Sequence, residues 1–321
     1  MFVARRFVHK PLAGAIAGLM VLSAVSGGGA AYADQAEDSV AEVAELSREV
    51  EQLSATILNA QPDLDAKLQL LRVADEKYAD DLARREVTQT QLATQQHAVD
   101  KFAAAVYIGG RTDGASAVLT AASPSGLIES LATQRVMETE MSAQLKRLHR
   151  ADEEARAVEA ESAKSAAEAK AAVDAATAVR ADLQNKRFQL RTKMSELNAN
   201  YSTLPPAQQA GLNLPSGAVT AALGSTSPIP TVGMRGLVPN ARLLADYIMA
   251  TYPGVQSIGG VRADPLPDHP SGRALDIMIG SDMSLGDVID ADLRSQAGRF
   301  GIAYTMWRVT AHFDHVHVTV S

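Results

Sequence analysis

Four of the chain's seven histidines, His269, His312, His315 and His317, fall near the C-terminus, and three of those lie within six residues. The first segment runs Asp268-His269-Pro270-Ser271-Gly272-Arg273-Ala274-Leu275-Asp276. It sets a histidine in a Pro/Gly loop and a carboxylate at the head of the apolar run Ile277-Met278-Ile279. A charge embedded there is costly unless it is paired. Gly272 lets the backbone turn so that His269 and Asp276 converge. The second segment is His312-Phe313-Asp314-His315-Val316-His317-Val318. On a strand His315 and His317 share one face, and Val316, Val318 and Val320 share the other. An imidazole, a carboxylate and a second imidazole make a three-ligand Zn2+ site, and the open fourth position is the catalytic rather than the structural pattern. Such an ion lowers the pKa of water toward about 7 and polarises a carbonyl. A further histidine or acid beside it would move the proton. Arg262, seven residues before His269, is suited to a substrate carboxylate or to a solvated strand end. Trp307, the only tryptophan, suits either the wall of a peptide groove or the core.

The His-six-residues-Asp spacing with a later His-x-His resembles the zinc metallopeptidases that group lysostaphin, the D-Ala-D-Ala peptidases and the hedgehog amino-terminal domain. The fuller pattern His269-x-x-Gly272-x-Ala274-x-Asp276 is similar to the D-Ala-D-Ala and murein endopeptidase branches. That resemblance covers about residues 237–321. It implies His269, Asp276 and His317 as zinc ligands and His315 as the catalytic histidine. It implies a further active-site role for His312 and places Asp314 where the D-Ala-D-Ala branch carries a glutamate base. Asp314 is one methylene shorter than that glutamate, and Pro267 stands where a serine is common two residues before the first ligand. The substrate the resemblance implies is a peptide of peptidoglycan.

The elements that must position these residues form a small α+β domain over 237–321 with an antiparallel sheet. Helices are predicted at 239–251 and 285–300, and strands at 255–262, 274–279, 302–309 and 315–320. A Pro/Ser/Gly-rich stretch, 202–236, reads as a flexible linker. Before it, residues 34–201 read as a long antiparallel coiled-coil hairpin. Its first seam holds Val43, Leu46, Val50, Leu53 and Ile57, with a kink or break expected at Pro62. Leu64, Leu68 and Leu71 continue that seam, and Leu92, Val99, Phe102 and Val106 resume it. The second seam holds Ile128, Leu131, Met141, Leu145 and Leu148. An alanine-rich middle follows, and then Leu183, Leu190, Met194, Leu197 and Tyr201. The order of long helix, Tyr107-Ile108-Gly109-Gly110, Val118-Leu119, Ser123-Pro124-Ser125-Gly126 and returning helix resembles the coiled-coil segment of secreted cell-wall hydrolases and their activators. That resemblance implies docking on a divisome-linked membrane complex of FtsE–FtsX type. The plain alternative for this region is a spacer or dimerisation rod.

Residues 1–33 carry the order of an export signal: Arg5, Arg6 and Lys10, an apolar run from Leu12 to Val25, then Ala31-Tyr32-Ala33. The expected location is the cell envelope or the extracellular space, with the segment either cleaved or kept as an anchor. The absence of cysteine excludes disulfide scaffolds, thiolate zinc sites and cysteine nucleophiles. A net charge of -7 without a dense basic block excludes a nucleic-acid footprint. Three functions stay open: an exported zinc peptidase acting on peptidoglycan stems or crosslinks, a non-catalytic cell-wall binding or hydrolase-activator protein, and a secreted adhesin-like rod in which the histidine cluster is coincidence.

Overall fold

The computed structural model describes residues 30–109 and 123–321. The export signal read over 1–33 falls almost wholly outside them, as does most of the turn between the two arms. Helix α1 (Ala30–Gly109) and helix α2 (Pro124–Thr203) are each 80 residues long, which is about 120 Å at 1.5 Å per residue. Ser123 opens α2 by accepting a hydrogen bond from the Gly126 N–H, with Pro124 in the first turn where its missing N–H costs nothing.

The arms lie antiparallel, as the ties Asn200 to Glu42, Lys193 to Glu49, Lys77 to Glu161 and Arg85 to Glu159 show. Burial recurs at strict seven-residue spacing. On α1 it falls on Val43, Val50, Ile57, Leu64, Leu71 and Tyr78, and on α2 on Ala155, Ser162, Ala169, Ala176, Leu183, Leu190 and Leu197. That is the repeat of a coiled-coil seam. Of the kink or break expected at Pro62, the break does not occur: α1 continues through it as one helix. Ile57 and Leu64 on either side are fully buried against α2. Neighbouring Gln61 donates to the Thr226 carbonyl and accepts from Arg187. These contacts offset the lost bond of an internal proline, about 3 kcal/mol. Ile128, Leu131 and Leu145, expected in the seam, are exposed. At Leu145 the arms part around a groove of about 630 Å3 lined by Leu92, Ala93, Leu145 and Leu148.

The stretch 202–236, expected as a flexible linker, contains helices α3 (Pro206–Gln209) and α4 (Gly217–Gly224) and strand β1 (Thr231–Val232). Val219 and Ala222 of α4 join the core that holds Leu183, Leu190 and Leu197. The buried Arg187 donates to the Ala222 carbonyl and to the hydroxyls of Ser225 and Ser227. Composition reads this stretch as loop, but its few apolar residues have a helical surface to bury against.

The C-terminal domain adds α5 (Pro239–Thr251), β2 (Ser257–Gly259), β3 (Ala274–Met278), α6 (Met283–Ser295), α7 (Ala297–Phe300), β4 (Ile302–Met306) and β5 (His315–Val320). The sheet order is β1-β2-β3-β5-β4. The sheet is mixed rather than antiparallel, because β1 pairs parallel with β2. The cause is the crossover: α5 carries the chain from the end of β1 back to the start of β2, so both strands run the same way. The other three pairings are antiparallel. Leu244 and Ile248 of α5, Ile289 and Leu293 of α6, and Ile258, Leu275, Ile277, Val316 and Val318 of the sheet form one core. Within the sheet, β3 carries Asp276 and the adjacent β5 carries His315 and His317.

Candidate metal centre

The register of β3 against β5 sets Asp276 directly opposite His317. His269 is brought alongside by the tight 267–272 loop. There Ser271 N donates to the Pro267 carbonyl and Gly272 N to the His269 carbonyl. Gly272 has φ +72, and a Cβ on it would stand 2.1 Å from the Gly236 carbonyl oxygen, so no side chain fits at this crossing. His269, Asp276 and His317 are 3%, 8% and 5% exposed. Their ligand atoms all lie within 4.8 Å of one another, the one such group among the described residues.

Each imidazole is oriented from outside. The Nδ1–H of His269 donates to the Gly260 carbonyl at 2.8 Å, which leaves Nε2 as a lone pair facing inward. That Nε2 is buried, has no hydrogen-bond partner, and stands 3.3 Å from Asp276 Oδ1. His317 Nε2 pairs with the Thr319 hydroxyl at 3.0 Å, so Nδ1 is the atom turned to Asp276 Oδ1 at 2.8 Å. Arg262 Nη1 holds the other oxygen of Asp276, Oδ2, at 2.5 Å. Burial pushes the Asp276 carboxyl up, but the His317 imidazole and the Arg262 guanidinium hold it well below the usual carboxylate range. A stranded, inward-facing imidazole lone pair beside an ionised carboxylate and a second imidazole is a donor set that asks for a cation. Outer-shell carbonyl and hydroxyl partners of this kind fix metal-ligating histidines in known sites. The residues therefore fit a divalent ion held by His269 Nε2, Asp276 and His317 Nδ1.

His315 lies on the same face, with Nε2 3.7 Å from Asp276 Oδ1. Its Nδ1 meets Asp314 Oδ1 at 2.8 Å. The bond to His315 lowers the Asp314 carboxyl, against a smaller upward push from burial. Asp314 thus reaches the centre through His315 rather than directly. His312 stands with its ring 4.8 Å from that of His315 and 5.7 Å from that of His317. It is placed by a turn in which Arg308 and Ala311 both take positive φ, 56° and 66°. Two non-glycine residues in the left-handed region within one turn store about 1–3 kcal/mol each. The structure thus brings His269, Asp276, His317, His315, His312, Asp314 and Arg262 together.

Trp307 does not join them. Its ring is buried against Gly286 and its Nε1–H donates to Asp287, so it is core rather than groove wall. Arg262 is engaged with Asp276 and, at 3.4 Å, with Asp264, so it is not a free receptor for a substrate carboxylate. Three further residues at the centre were not singled out from sequence. The half-exposed Tyr304 stacks over His317, with centroids 6.0 Å apart, and donates to Asp268. Thr319 and the Gly260 carbonyl orient the two histidines. Thr319 follows His317 by two residues on one strand face, a period that could have revealed it. Tyr304 depends on the β4–β5 register, which local sequence does not carry.

The family profile described as VldE, C-terminal domain, matches residues 233–314. That span takes in His269, Asp276, His312 and Asp314 and stops just before His315. Probable endopeptidases of Mycobacterium bovis and of two strains of Mycobacterium tuberculosis are each 45% identical to this chain over 200 residues. The match covers 62% of this chain and 49% of each relative, so the chain spans about half the length of the curated relatives it matches. A stretch of that length within 321 residues necessarily includes residues 122–200, most of α2. The likeness to endopeptidases therefore includes most of the second arm, α2.

Proposed function

We propose that the chain is an exported zinc-dependent peptidase that cleaves stem peptides or crosslinks of peptidoglycan, localised or restrained by its helical hairpin. The observation that carries this reading is His269 Nε2, buried, unpartnered and aimed between Asp276 and His317. The endopeptidase names of its mycobacterial relatives support peptide hydrolysis. The export signal read over 1–33 supports an envelope setting, and among the described residues no helix is long and apolar enough to cross a membrane. A membrane complex of FtsE–FtsX type would meet the far end of the hairpin, where Tyr107, Ile108, Val136 and Met137 are exposed.

His269, Asp276 and His317 would hold the ion, and zinc there would supply Lewis acidity toward a carbonyl and toward water. His315, its Nδ1 engaged by Asp314, presents Nε2 toward the reacting centre and transfers the proton there. Asp314 fixes the ring and stabilises the imidazolium when it forms. His312, its ring 4.8 Å from that of His315, would steady the developing oxyanion. Tyr304 offers an aromatic wall beside His317.

A second reading, a non-catalytic cell-wall binding or hydrolase-activator protein, is favoured by one observation. The similarity to endopeptidases includes most of α2, which carries no such cluster among the described residues, and spans only half of those proteins. Digestion of purified peptidoglycan by the full chain, with the products followed by mass spectrometry, separates the two. The peptidase reading requires new peptide ends that need zinc and vanish in His315→Ala while bound metal is retained. Intact peptidoglycan with metal-loaded wild-type protein would leave the second reading.

A further inference from the structure

We propose that the hairpin completes the metal centre, with Asp75 and Tyr78 of α1 as positioning residues for its ligands. The inference rests on the metal reading above. The four-residue segment Gly260–Ala263 supplies an outer partner to two of the three ligands. The Gly260 carbonyl accepts from His269 Nδ1 at 2.8 Å, and Arg262 Nη1 reaches Asp276 Oδ2 at 2.5 Å. Helix α1 holds this segment at both ends. At one end Ala263 N donates to the hydroxyl oxygen of the buried Tyr78 at 3.0 Å. At the other end the tie passes through one intermediary: Val261 N donates to the Gly233 carbonyl at 2.8 Å, and Gly233 N donates to Asp75 Oδ1 at 2.7 Å.

That relay has little slack. A Cβ on Gly233 would stand 2.4 Å from the Val261 carbonyl oxygen, and a Cβ on Gly260 would stand 2.4 Å from the Gly233 carbonyl oxygen. The two backbones therefore run in direct contact, and a shift of Gly233 moves Gly260 with it. Val232, one residue before, packs on Leu71, Val173 and Ala176, which keeps this edge of the sheet against both arms. Outer-shell partners set the orientation and basicity of metal ligands. Here the partners of His269 and Asp276 sit on a segment held by residues nearly two hundred positions away in sequence. By reciprocity, whatever the hairpin contributes to metal affinity, bound metal contributes to hairpin docking.

The test is metal affinity of the full chain, measured with zinc against a chromophoric chelator, beside the visible spectrum of the cobalt form. Loss of an outer-shell partner lowers metal affinity about 10–100-fold, so Tyr78→Phe and Asp75→Ala, acting one step further out, are expected to lower it about 3–10-fold and shift the cobalt bands. Asp80→Ala removes the exposed Arg235–Asp80 ion pair of the same interface without touching the segment, and should leave both readouts at wild-type values. Should either variant fold poorly, amide exchange in the wild type replaces it: zinc should slow exchange at Val261 and Ala263. Wild-type affinity and spectrum in both folded variants, or amide exchange indifferent to zinc, would overturn the proposal and leave the metal centre standing. A wild-type chain that takes up no metal would overturn both.

Discussion

Arg180 presents a sharp quantitative test of how the hairpin and the C-terminal domain are joined. It is 2% exposed and, among the described residues, has no carboxylate partner. Its guanidinium donates to the carbonyls of Ser227 at 2.9 Å, Val255 at 2.6 Å and Pro253 at 2.7 Å. Burial, with nearby Arg187 adding to it, pulls its pKa down to about 10. Replacing it with methionine keeps the apolar stem and removes the charge. Three charge-assisted bonds, each worth about 1.5–3 kcal/mol, are lost. Relief from burying an uncompensated cation returns several kcal/mol of that. The net expected from these opposing terms is a destabilisation of about 2–4 kcal/mol. Trp307, the only tryptophan, lies in the C-terminal domain and reports its unfolding by fluorescence, while circular dichroism reports the hairpin. In urea the Trp307 transition of Arg180→Met should move to lower denaturant by about 1 M or more, taking a slope of 1–3 kcal/mol per M. A change below about 1 kcal/mol would mean instead that water satisfies the three carbonyls as well as Arg180 does.

Other consequences can be checked with the same protein. Gly286→Ala places a Cβ 2.2 Å from the Trp307 ring, and such overpacking should cost about 1–3 kcal/mol in the Trp307 transition. Burial raises the Asp292 carboxyl, but hydrogen bonds from Tyr247 and Tyr252 outweigh it and hold the group below its ordinary value. A depressed folded-state pKa contributes stability above the unfolded value of about 3.9 and loses it as pH falls through the folded one. Urea midpoints at about pH 5 and about pH 3 should therefore differ more in the wild type than in Asp292→Asn. Asp314→Asn, which removes the carboxylate from His315 Nδ1, should slow peptide cleavage roughly 10–100-fold while zinc stoichiometry stays unchanged, a split read by turnover beside metal analysis.

The ligand cluster was legible because each half is local. His269 and Asp276 are separated by one tight loop, and His315, His317, Val316 and Val318 follow the period of a strand. Burial of Val316 and Val318 at 0% bears out the inward face of β5. What escaped depends on pairings between distant segments. Tyr304 reaches His317 through the β4–β5 register, and Tyr78 reaches Ala263 across 185 positions. The 202–236 stretch carries the composition of a loop, yet Arg187, an unremarkable helical arginine in sequence, anchors it by its side-chain donors. Pro62 misled for the opposite reason: a local helix breaker was overridden by a long seam. The parallel β1–β2 pair was missed because a two-residue strand has no period to read.

Whether His269, Asp276 and His317 hold a metal ion is read by metal analysis of the purified chain. After exposure to zinc and removal of the excess, close to one zinc per chain should remain, falling to background in His269→Ala, Asp276→Ala and His317→Ala and retained in His315→Ala. A folded wild-type chain that stays metal-free after zinc is offered, or zinc that survives loss of any two of the three ligands, would contradict the metal reading.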